Sequence, residues 1–319
     1  MDINRRDFLK VAAGGGLMAA ANLTPALALA REPKTRPPEA LGILYDATVC
    51  IGCKACVSAC KQYNSNPPVF STPQHLWDNP VDLNAYTYNI IKLYKNGSGK
   101  TKDQEKDGYS YIKRHCMHCV DPSCISACPV SALTKDPKTG IVHYDKGACI
   151  GCRYCQVACP YLIPKFQWDQ AFPQIRKCQL CDHRIQKGGI SACCEFCPTG
   201  ASVFGKVGDL LQEAKRRLTL KPGEYAYYPI STVTSSEKSY RLVKPYLKHV
   251  YGEREGGGTQ FLMLANVPFE KLGLPALPDY PDAAWSEGLQ HGLYKGMIAP
   301  AVVLAGLLYV VYKNTKKPE

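Results

Sequence analysis

From residue 50 to residue 60 the chain reads Cys50-Ile-Gly-Cys-Lys-Ala-Cys-Val-Ser-Ala-Cys60. The same spacing, C-x2-C-x2-C-x3-C, recurs as Cys149-Ile-Gly-Cys-Arg-Tyr-Cys-Gln-Val-Ala-Cys159, which precedes Pro160. In this pattern three thiolates of one loop bind three irons of a cubane cluster, and the fourth cysteine binds the other cluster of a pair. Each repeat is therefore predicted to supply three ligands to one [4Fe–4S] cluster and one ligand to another.

Two looser cysteine quartets complete the set. They are Cys116, Cys119, Cys124 and Cys128, and Cys178, Cys181, Cys193 and Cys197. All seventeen cysteines lie between Cys50 and Cys197, so four quartets use sixteen of them and leave Cys194 over. We predict that these sixteen thiolates are iron ligands of four [4Fe–4S] clusters, that no residue is catalytic, and that Cys194 is a small buried residue. Each later quartet ends in Cys-Pro, but Cys60 is followed by Lys61.

The N-terminus has the order of a twin-arginine export signal. Asn4-Arg-Arg-Asp-Phe-Leu-Lys10 precedes a weakly apolar run that ends in Ala28-Leu-Ala30. A basic start, an apolar region and an Ala-x-Ala end predict a signal peptide over residues 1–30, and hence a periplasmic protein. An amphipathic helix with two surface arginines is the alternative. Because this route exports folded proteins, the clusters would be inserted in the cytoplasm before export.

A second apolar segment lies near the C-terminus. The run Met297 to Tyr312 carries no charge, and residues 292–296 extend it to about 20 residues, enough to cross a bilayer. We predict a transmembrane helix over 292–312, with a core helix as the alternative. The lysines that follow place the tail 313–319 in the cytoplasm, so the cysteine region lies at the periplasmic face of the inner membrane, held by a single-pass anchor.

Two other uses of cysteine compete with clusters. Structural zinc is typically bound by two separated C-x2-C pairs, which suits the fourth quartet but not the closely spaced first and third. Disulfides form in exported proteins, but export in the folded state favours cofactors loaded beforehand. Clusters explain all four quartets together.

The spacing of the cysteines also predicts the fold. We expect an α+β protein with two ferredoxin-like units, related by internal repeat, within residues 40–220. Residues 140–145 read as a strand, 154–158 as a short helix and 207–218 as a longer one. A hairpin is inserted at about 85–115. Residues 221–290 form an extension for partner docking, although its tyrosine-rich part, 225–251, also suits ordinary packing.

The net charge of +12 is explained by the cofactors. A [4Fe–4S] cluster with four thiolates carries about −2, so four contribute about −8 and leave about +4. No nucleic-acid partner is needed, and no basic run interleaved with aromatics supports one. Five cations flank the ligands, and they either raise the cluster potentials or are solvated surface charges: Lys54, Lys113, Arg114, Arg153 and Lys177.

Four other stretches carry a resemblance to a known family. They are Cys116-Met-His-Cys-Val-Asp-Pro122, Asp136-Pro-Lys-Thr-Gly-Ile-Val-His-Tyr-Asp145, Tyr251-Gly-Glu-Arg-Glu-Gly-Gly-Gly-Thr-Gln260 and Leu293-Tyr-Lys-Gly-Met297. With the cysteines, the chain resembles the HybA-type iron–sulfur subunits of hydrogenase-2 along nearly its whole mature length. The cysteine spacing alone is also similar to the electron-transfer subunits of formate dehydrogenase, dimethyl sulfoxide reductase and thiosulfate reductase complexes.

The resemblance implies how the ligands combine across the quartets. Site A would use Cys50, Cys53, Cys56 and Cys197; site B, Cys60, Cys178, Cys181 and Cys193; site C, Cys116, Cys119, Cys124 and Cys159; and site D, Cys128, Cys149, Cys152 and Cys155. Cys193 is preferred to Cys194 because it restores the Cys-x3-Cys-Pro ending of the second and third quartets.

The resemblance also implies a function. A non-catalytic subunit would relay electrons from the small and large subunits of a periplasmic nickel–iron hydrogenase to a quinone-reactive integral membrane subunit, in respiration on H2. The equivalent subunit of a formate dehydrogenase or a molybdenum reductase is the alternative. A zinc-rich structural scaffold is a third hypothesis.

Overall fold

The computed structural model describes residues 31–70 and 80–315, so the predicted signal peptide (1–30) and the last four residues of the predicted tail lie outside the described residues. The strands are β1 (Leu41–Asp46), β2 (Ile90–Lys95), β3 (Thr101–Lys102), β4 (Gly108–Arg114), β5 (Leu133–Lys135), β6 (Val142–Tyr144), β7 (Lys165–Phe166), β8 (Ile175–Arg176), β9 (Ser202–Lys206), β10 (Tyr225–Pro229), β11 (Lys238–Leu242) and β12 (Phe261–Leu264). The helices are α1 (Ala55–Tyr63), α2 (Ser123–Ser126), α3 (Tyr154–Ala158), α4 (Asp182–Ile185), α5 (Ala192–Glu195), α6 (Val207–Thr219), α7 (Asp282–Gly296) and α8 (Ile298–Thr315).

A three-stranded sheet, ordered β12-β1-β9, lies at the centre of the unit formed by residues 34–281. β1 pairs in parallel with β12 and antiparallel with β9, so Ile43 lies opposite both Phe261 and Phe204. Because side chains alternate across a strand, Ile43 joins the core that contains most of the cysteines, whereas Leu44 joins a smaller core beneath α6. β1 thus separates the cysteine-rich core from its supporting layer.

The two close cysteine repeats have the same local structure. Each runs from a strand through a cysteine loop into a helix, β1 to α1 in the first and β6 to α3 in the third. Gly52 and Gly151 have φ of 71° and 72°, and the residues before the helices, Lys54 and Arg153, have φ of 59° and 66°. Residues of the left-handed region at equal places give both loops the same curl.

Equivalent aspartates with different surroundings lie four residues before the first cysteine of each loop. Asp46 Oδ1 accepts a hydrogen bond from Thr48 N at 3.0 Å, and Asp145 Oδ1 accepts one from Gly147 N at 2.7 Å. Asp46 is fully buried and its other oxygen lies 2.9 Å from Arg217 Nη1, whereas Asp145 is exposed. The local turn is repeated but the packing is not.

The insertion between the first two quartets is built on β2 and β4, which pair antiparallel from Ile90 opposite Arg114 to Lys95 opposite Tyr109. β3 adds a short parallel edge to β4. The tyrosine-rich extension forms the antiparallel hairpin of β10 and β11. Tyr225, Tyr227 and Tyr240 are exposed and stack on one another along it, with ring centroids 4.8 to 5.2 Å apart.

The described residues of the second unit are 31–33 and 282–315. The helical stretch 282–315 is long and apolar enough to cross a membrane, by length and composition only. α7 ends at Gly296 and α8 begins at Ile298, because Pro300 has no amide hydrogen to donate to the carbonyl of Gly296. Pro300 therefore lies in the first turn of α8, where proline is tolerated.

Candidate metal centres

All seventeen cysteines are free thiols, and Cys53 is the only one classed as exposed. The cysteines expected for sites B, C and D lie together, and so do Cys50, Cys56 and Cys197 of site A. In the described part of the chain, no group of three or more His, Cys, Asp and Glu side chains has the arrangement needed to hold a single metal ion.

The four cysteines expected for site B line one cavity. Cys60 comes from the end of α1, Cys178 and Cys181 from the loop after β8, and Cys193 from α5. Burial, followed by repulsion from the other three thiolates, raises the pKa of Cys60. Four thiolates crowded into an apolar cavity need positive charge, which the irons of a cluster would supply.

Cys193 and Cys194 occupy different surroundings although they are adjacent on α5. Cys193 lines the site B cavity, whereas Cys194 is fully buried in the core and is absent from that lining. The hydrogen bond from Cys194 and the nearby ammonium of Lys113 lower the pKa of Cys193, while burial raises that of Cys194. The geometry thus favours Cys193 as the thiolate at site B.

A second cavity is lined by the four cysteines expected for site D. Cys128 follows α2, Cys149 and Cys152 lie on the third loop, and Cys155 is in α3. Burial raises the pKa of Cys155 to about 12, and repulsion from the thiolates of Cys149, Cys128 and Cys152 contributes to the increase. The apolar lining of this cavity includes Leu133 and Ile175, which belong to a small core separate from the main core.

The cysteines expected for site C are also neighbours. Burial raises the pKa of Cys119, followed by repulsion from Cys159, Cys124 and Cys116. At site A, burial raises the pKa of Cys56 to about 12, with further contributions from Cys50 and Cys197. Cys53 lies on the exposed side of the first loop.

Neighbouring cysteines connect the four groups in the order A, B, C, D. Cys56 of A lies near Cys193 of B, Cys178 of B near Cys116 of C, and Cys124 of C near Cys155 of D. In the cavity at site B the first quartet meets the fourth, and in the cavity at site D the second meets the third. Two distant parts of the chain complete sites A and B.

Several hydrogen-bond donors point at these sulfurs. Gly52 N lies 3.4 Å from Cys50 Sγ, and Leu180 N lies 3.3 Å from Cys178 Sγ. Asn64 Nδ2 lies 3.7 Å from Cys60 Sγ. Thr199 Oγ1 also lies 3.7 Å from a sulfur, Cys197 Sγ. Donors of this kind stabilise thiolates and tune iron–sulfur potentials, so the donor set fits the four clusters that the sequence predicts.

The first quartet lacks the proline that follows the other three because its helix continues. α1 extends past Cys60 to Tyr63, whereas α3 ends at Ala158, before Cys159-Pro160. Lys61 occupies the equivalent place and is buried. Its Nζ donates to Pro67 O, Tyr86 O and Thr87 Oγ1 at 2.8 to 2.9 Å. A proline there would remove this anchor of the segment after α1.

The five cations beside the ligands differ in burial. Lys113 and Lys177 are 0% and 4% exposed, Lys54 and Arg114 are half-buried, and Arg153 is exposed. Burial disfavours the ammonium of Lys113, but the thiolates of Cys193 and Cys56 outweigh it and raise its pKa. The sequence left both interpretations open for each cation, because no local pattern distinguishes a buried lysine from a solvated one.

Histidines near the ligands make local contacts. His115 Nδ1 donates to Cys116 O at 2.7 Å, and its ring centroid lies 3.9 Å from that of Phe261. His118 Nδ1 accepts a hydrogen bond from Val142 N at 3.0 Å. Burial lowers the pKa of both rings, which are therefore neutral.

Comparison with known proteins assigns the chain to a family. Two family models described as a 4Fe–4S dicluster domain match residues 49–132 and 108–207. The chain is 50% identical, over 98% of its length and 96% of the relative, to the hydrogenase-2 operon protein HybA of Escherichia coli O157:H7. The chain belongs to the HybA family. It is also 34% identical, over 68% of its length and 67% of the relative, to the formate dehydrogenase-O iron–sulfur subunit of Escherichia coli K12.

Membership of the HybA family confirms the predicted class of protein and cofactor. The chain is an electron-transfer subunit, and its dicluster domains carry [4Fe–4S] clusters. The fold is mixed α and β with two ferredoxin-like dicluster domains, as the cysteine spacing predicts.

Proposed function

We propose that this HybA-family chain relays electrons from a periplasmic nickel–iron hydrogenase to a quinone-reactive integral membrane subunit. The observation that carries the proposal is the series of four neighbouring thiolate groups, with the high identity to a hydrogenase-2 operon protein. Bound clusters would supply one-electron redox sites, and the chain supplies their spacing, burial and hydrogen bonds.

The ligand sets of the four clusters are those of sites A to D. Two cavities, each lined by one cysteine of one quartet and three of another, support sites B and D. Mutual repulsion supports site C with all four of its cysteines and site A with Cys50, Cys56 and Cys197, to which the spacing of the first quartet adds Cys53. In this assignment Cys194 is a packing residue and the other sixteen cysteines are iron ligands.

The two ends of this series would exchange electrons with the two partners. Ile51 of site A and Ile150 of site D occupy the same place in Cys-Ile-Gly-Cys, and their side chains are 53% and 65% exposed. An exposed apolar residue on each terminal loop suits a protein–protein contact, because burying it on docking excludes water near the cluster. Sites B and C lie between and have no such requirement.

The C-terminal helix would tether the subunit to the membrane. The described side chains of α8 are apolar and largely exposed, and Lys313 follows its apolar part. Together with the twin-arginine pattern of residues 1–30, this supports a location of the cluster-bearing unit at the periplasmic face. Membrane fractionation with a protease-accessibility assay tests it: the cysteine region should be cleaved from the periplasmic side, and truncation at Gly296 should release the chain.

Co-purification is the decisive test of the partner. The tagged full-length chain is isolated anaerobically from detergent-solubilised membranes, and its metals and partners are identified together. We expect about 16 irons with equal sulfide per chain, a nickel-containing partner and an integral membrane subunit. A zinc-containing, colourless preparation would overturn the cluster assignment.

The second candidate is the equivalent subunit of a formate dehydrogenase, favoured by the identity to subunits of that name. One from Escherichia coli K12, the nitrate-inducible subunit, is 30% identical over 83% of this chain and 82% of its own. A molybdopterin-containing partner in the same co-purification would establish this candidate and exclude the hydrogenase.

A further inference from the structure

Among the described residues, three lysine side chains are buried beside the cysteine sites without a carboxylate partner. Lys61 follows Cys60 of site B and donates to three neutral oxygens, whereas Lys113 and Lys177 lie between sites. Lys113 on β4 is fully buried, and its Nζ donates to Ser202 Oγ at 3.0 Å. Lys177, directly after β8, donates from Nζ to Val142 O and, at 3.1 Å, to Cys178 O. Within residues 31–70 and 80–315, no Asp or Glu forms an ion pair with either ammonium.

A buried ammonium needs a nearby anion, because hydrogen bonds to neutral groups offset only part of its lost hydration. The sulfurs of the cysteine sites are the available anions. Lys113 lies near Cys56 of site A and near Cys60 and Cys193 of site B. Lys177 bonds the backbone of Cys178 of site B and lies near Cys124 of site C. Each lysine thus lies at the junction of two sites.

Site D has a different charge environment. The principal interactions of the Cys155 thiolate are with the other three thiolates of the site. The adjacent cation, Arg153, is exposed and lies over the rings of Phe166 and Trp168, at 5.4 and 4.9 Å from their centroids. Lys135 donates to Cys119 O at 2.7 Å, so it lies at site C rather than at a junction with D. Among the described residues, the buried ammonium groups are Lys113 at the A–B junction, Lys177 at the B–C junction and Lys61 after Cys60 of site B, and none of them is hydrogen-bonded to a cysteine of site D.

We propose that the buried charges of Lys113 and Lys177 tune electron transfer. Each ammonium raises the reduction potential of the two clusters between which it lies. Reduction adds one electron to a cluster and breaks no bond. Because the reduced cluster is more negative, a fixed positive charge nearby stabilises it. The effect is strong in the interior because water does not screen it. Site B responds to both lysines, sites A and C to one each, and site D to neither. The inference depends on the proposed placement of clusters at sites A to D.

Potentiometric titration of the purified full-length chain, followed by electron paramagnetic resonance, tests the proposal by counting. Lys113→Met should lower the potentials of the clusters at sites A and B. Lys177→Met should lower the potentials of the clusters at sites B and C. The double variant should lower three, because site B is shared, and its shift there should be the sum. For each affected cluster we expect about a tenfold change in the reduction equilibrium, which is about 59 mV for one electron.

Three control variants separate charge from packing. Lys146→Met removes an exposed lysine three residues before Cys149 and should leave all four potentials unchanged. Lys113→Gln keeps a polar group for Ser202 without the charge and should behave as Lys113→Met, which keeps the test valid if the methionine variant does not assemble. Lys113→Arg keeps the charge and should retain the wild-type potentials.

Two results would overturn the inference. One is a set of potentials that move no more in the lysine variants than in Lys146→Met. The other is an equal shift of all four clusters. In both cases about 16 irons per chain would show that the proposed clusters are present, so the failure would concern the lysines alone. A lower iron content in the wild-type chain would instead contradict the placement of clusters at the four sites.

Discussion

The first and third cysteine loops have the same spacing and backbone conformation but lie in different parts of the molecule. The first loop is packed in the main core, where the ring of Tyr111 lies against Gly52 and Arg217 pairs with Asp46. The third lies at the edge, over a small separate core, with Asp145 and Arg153 exposed. The same local sequence therefore makes the same loop, while solvation and stability depend on what packs around it.

The largest expected effect is the loss of a cluster ligand. Cys56→Ala and Cys155→Ala should each reduce iron from about 16 to about 12 per chain, since each removes a ligand of one cluster. We expect Cys56→Ala to lower the thermal unfolding temperature more, because site A lies in the main core. Iron and sulfide analysis with thermal unfolding measures both, and Cys194→Ala, which should keep about 16 irons, is the control. Equal iron loss in Cys194→Ala would refute the ligand assignment.

The paired aspartates give the next largest difference. Asp46→Asn keeps the turn but removes one of the two carboxylates that pair with the buried Arg217, and Glu213 remains 2.8 Å from Arg217 Nε. We therefore expect a loss of about 3 kcal/mol of unfolding free energy, the low end of the cost of breaking a buried pair. Asp145→Asn should change it by less than about 0.5 kcal/mol, because Asp145 is exposed. Anaerobic urea unfolding of both variants measures the difference. Similar losses in the two would show that the turn, rather than the ion pair, makes Asp46 important.

The equivalent glycines should differ by a smaller amount. At positive φ an alanine costs about 1–2 kcal/mol, so both Gly52→Ala and Gly151→Ala should destabilise. At Gly52 the new Cβ would lie 2.5 Å from the Tyr111 ring, whereas at Gly151 the nearest atom, in Phe166, is 3.4 Å away. The clash should add about 1–3 kcal/mol at Gly52 alone. The same unfolding assay measures it, and Tyr111→Leu combined with Gly52→Ala should recover part of the loss.

The smallest effect on stability is expected at the two exposed isoleucines. Ile51→Ser and Ile150→Ser should each change the unfolding free energy by less than about 0.5 kcal/mol and leave iron unchanged. Each should slow electron exchange with a different partner, because the loops lie at opposite ends of the series. Reduction of the chain by H2 and its reoxidation by quinone, measured separately in the purified complex, would show which. An equal effect of both variants on one half-reaction would contradict the two-ended arrangement.

The sequence determined the cofactor, the curl of each cysteine loop and the strand–loop–helix repeat, because thiolate spacing and left-handed residues act over a few positions. It also indicated the α6 helix, since Leu210 and Ala214 lie on one face and both are buried. The Cys-x3-Cys-Pro ending also favoured Cys193 over Cys194, and Cys193 lines the site B cavity. Only the tertiary structure decided which sites are neighbours and that Lys113 and Lys177 are buried. These properties depend on contacts between residues far apart in the chain, such as Cys60 with Cys178 and Asp46 with Arg217, and no local pattern encodes them.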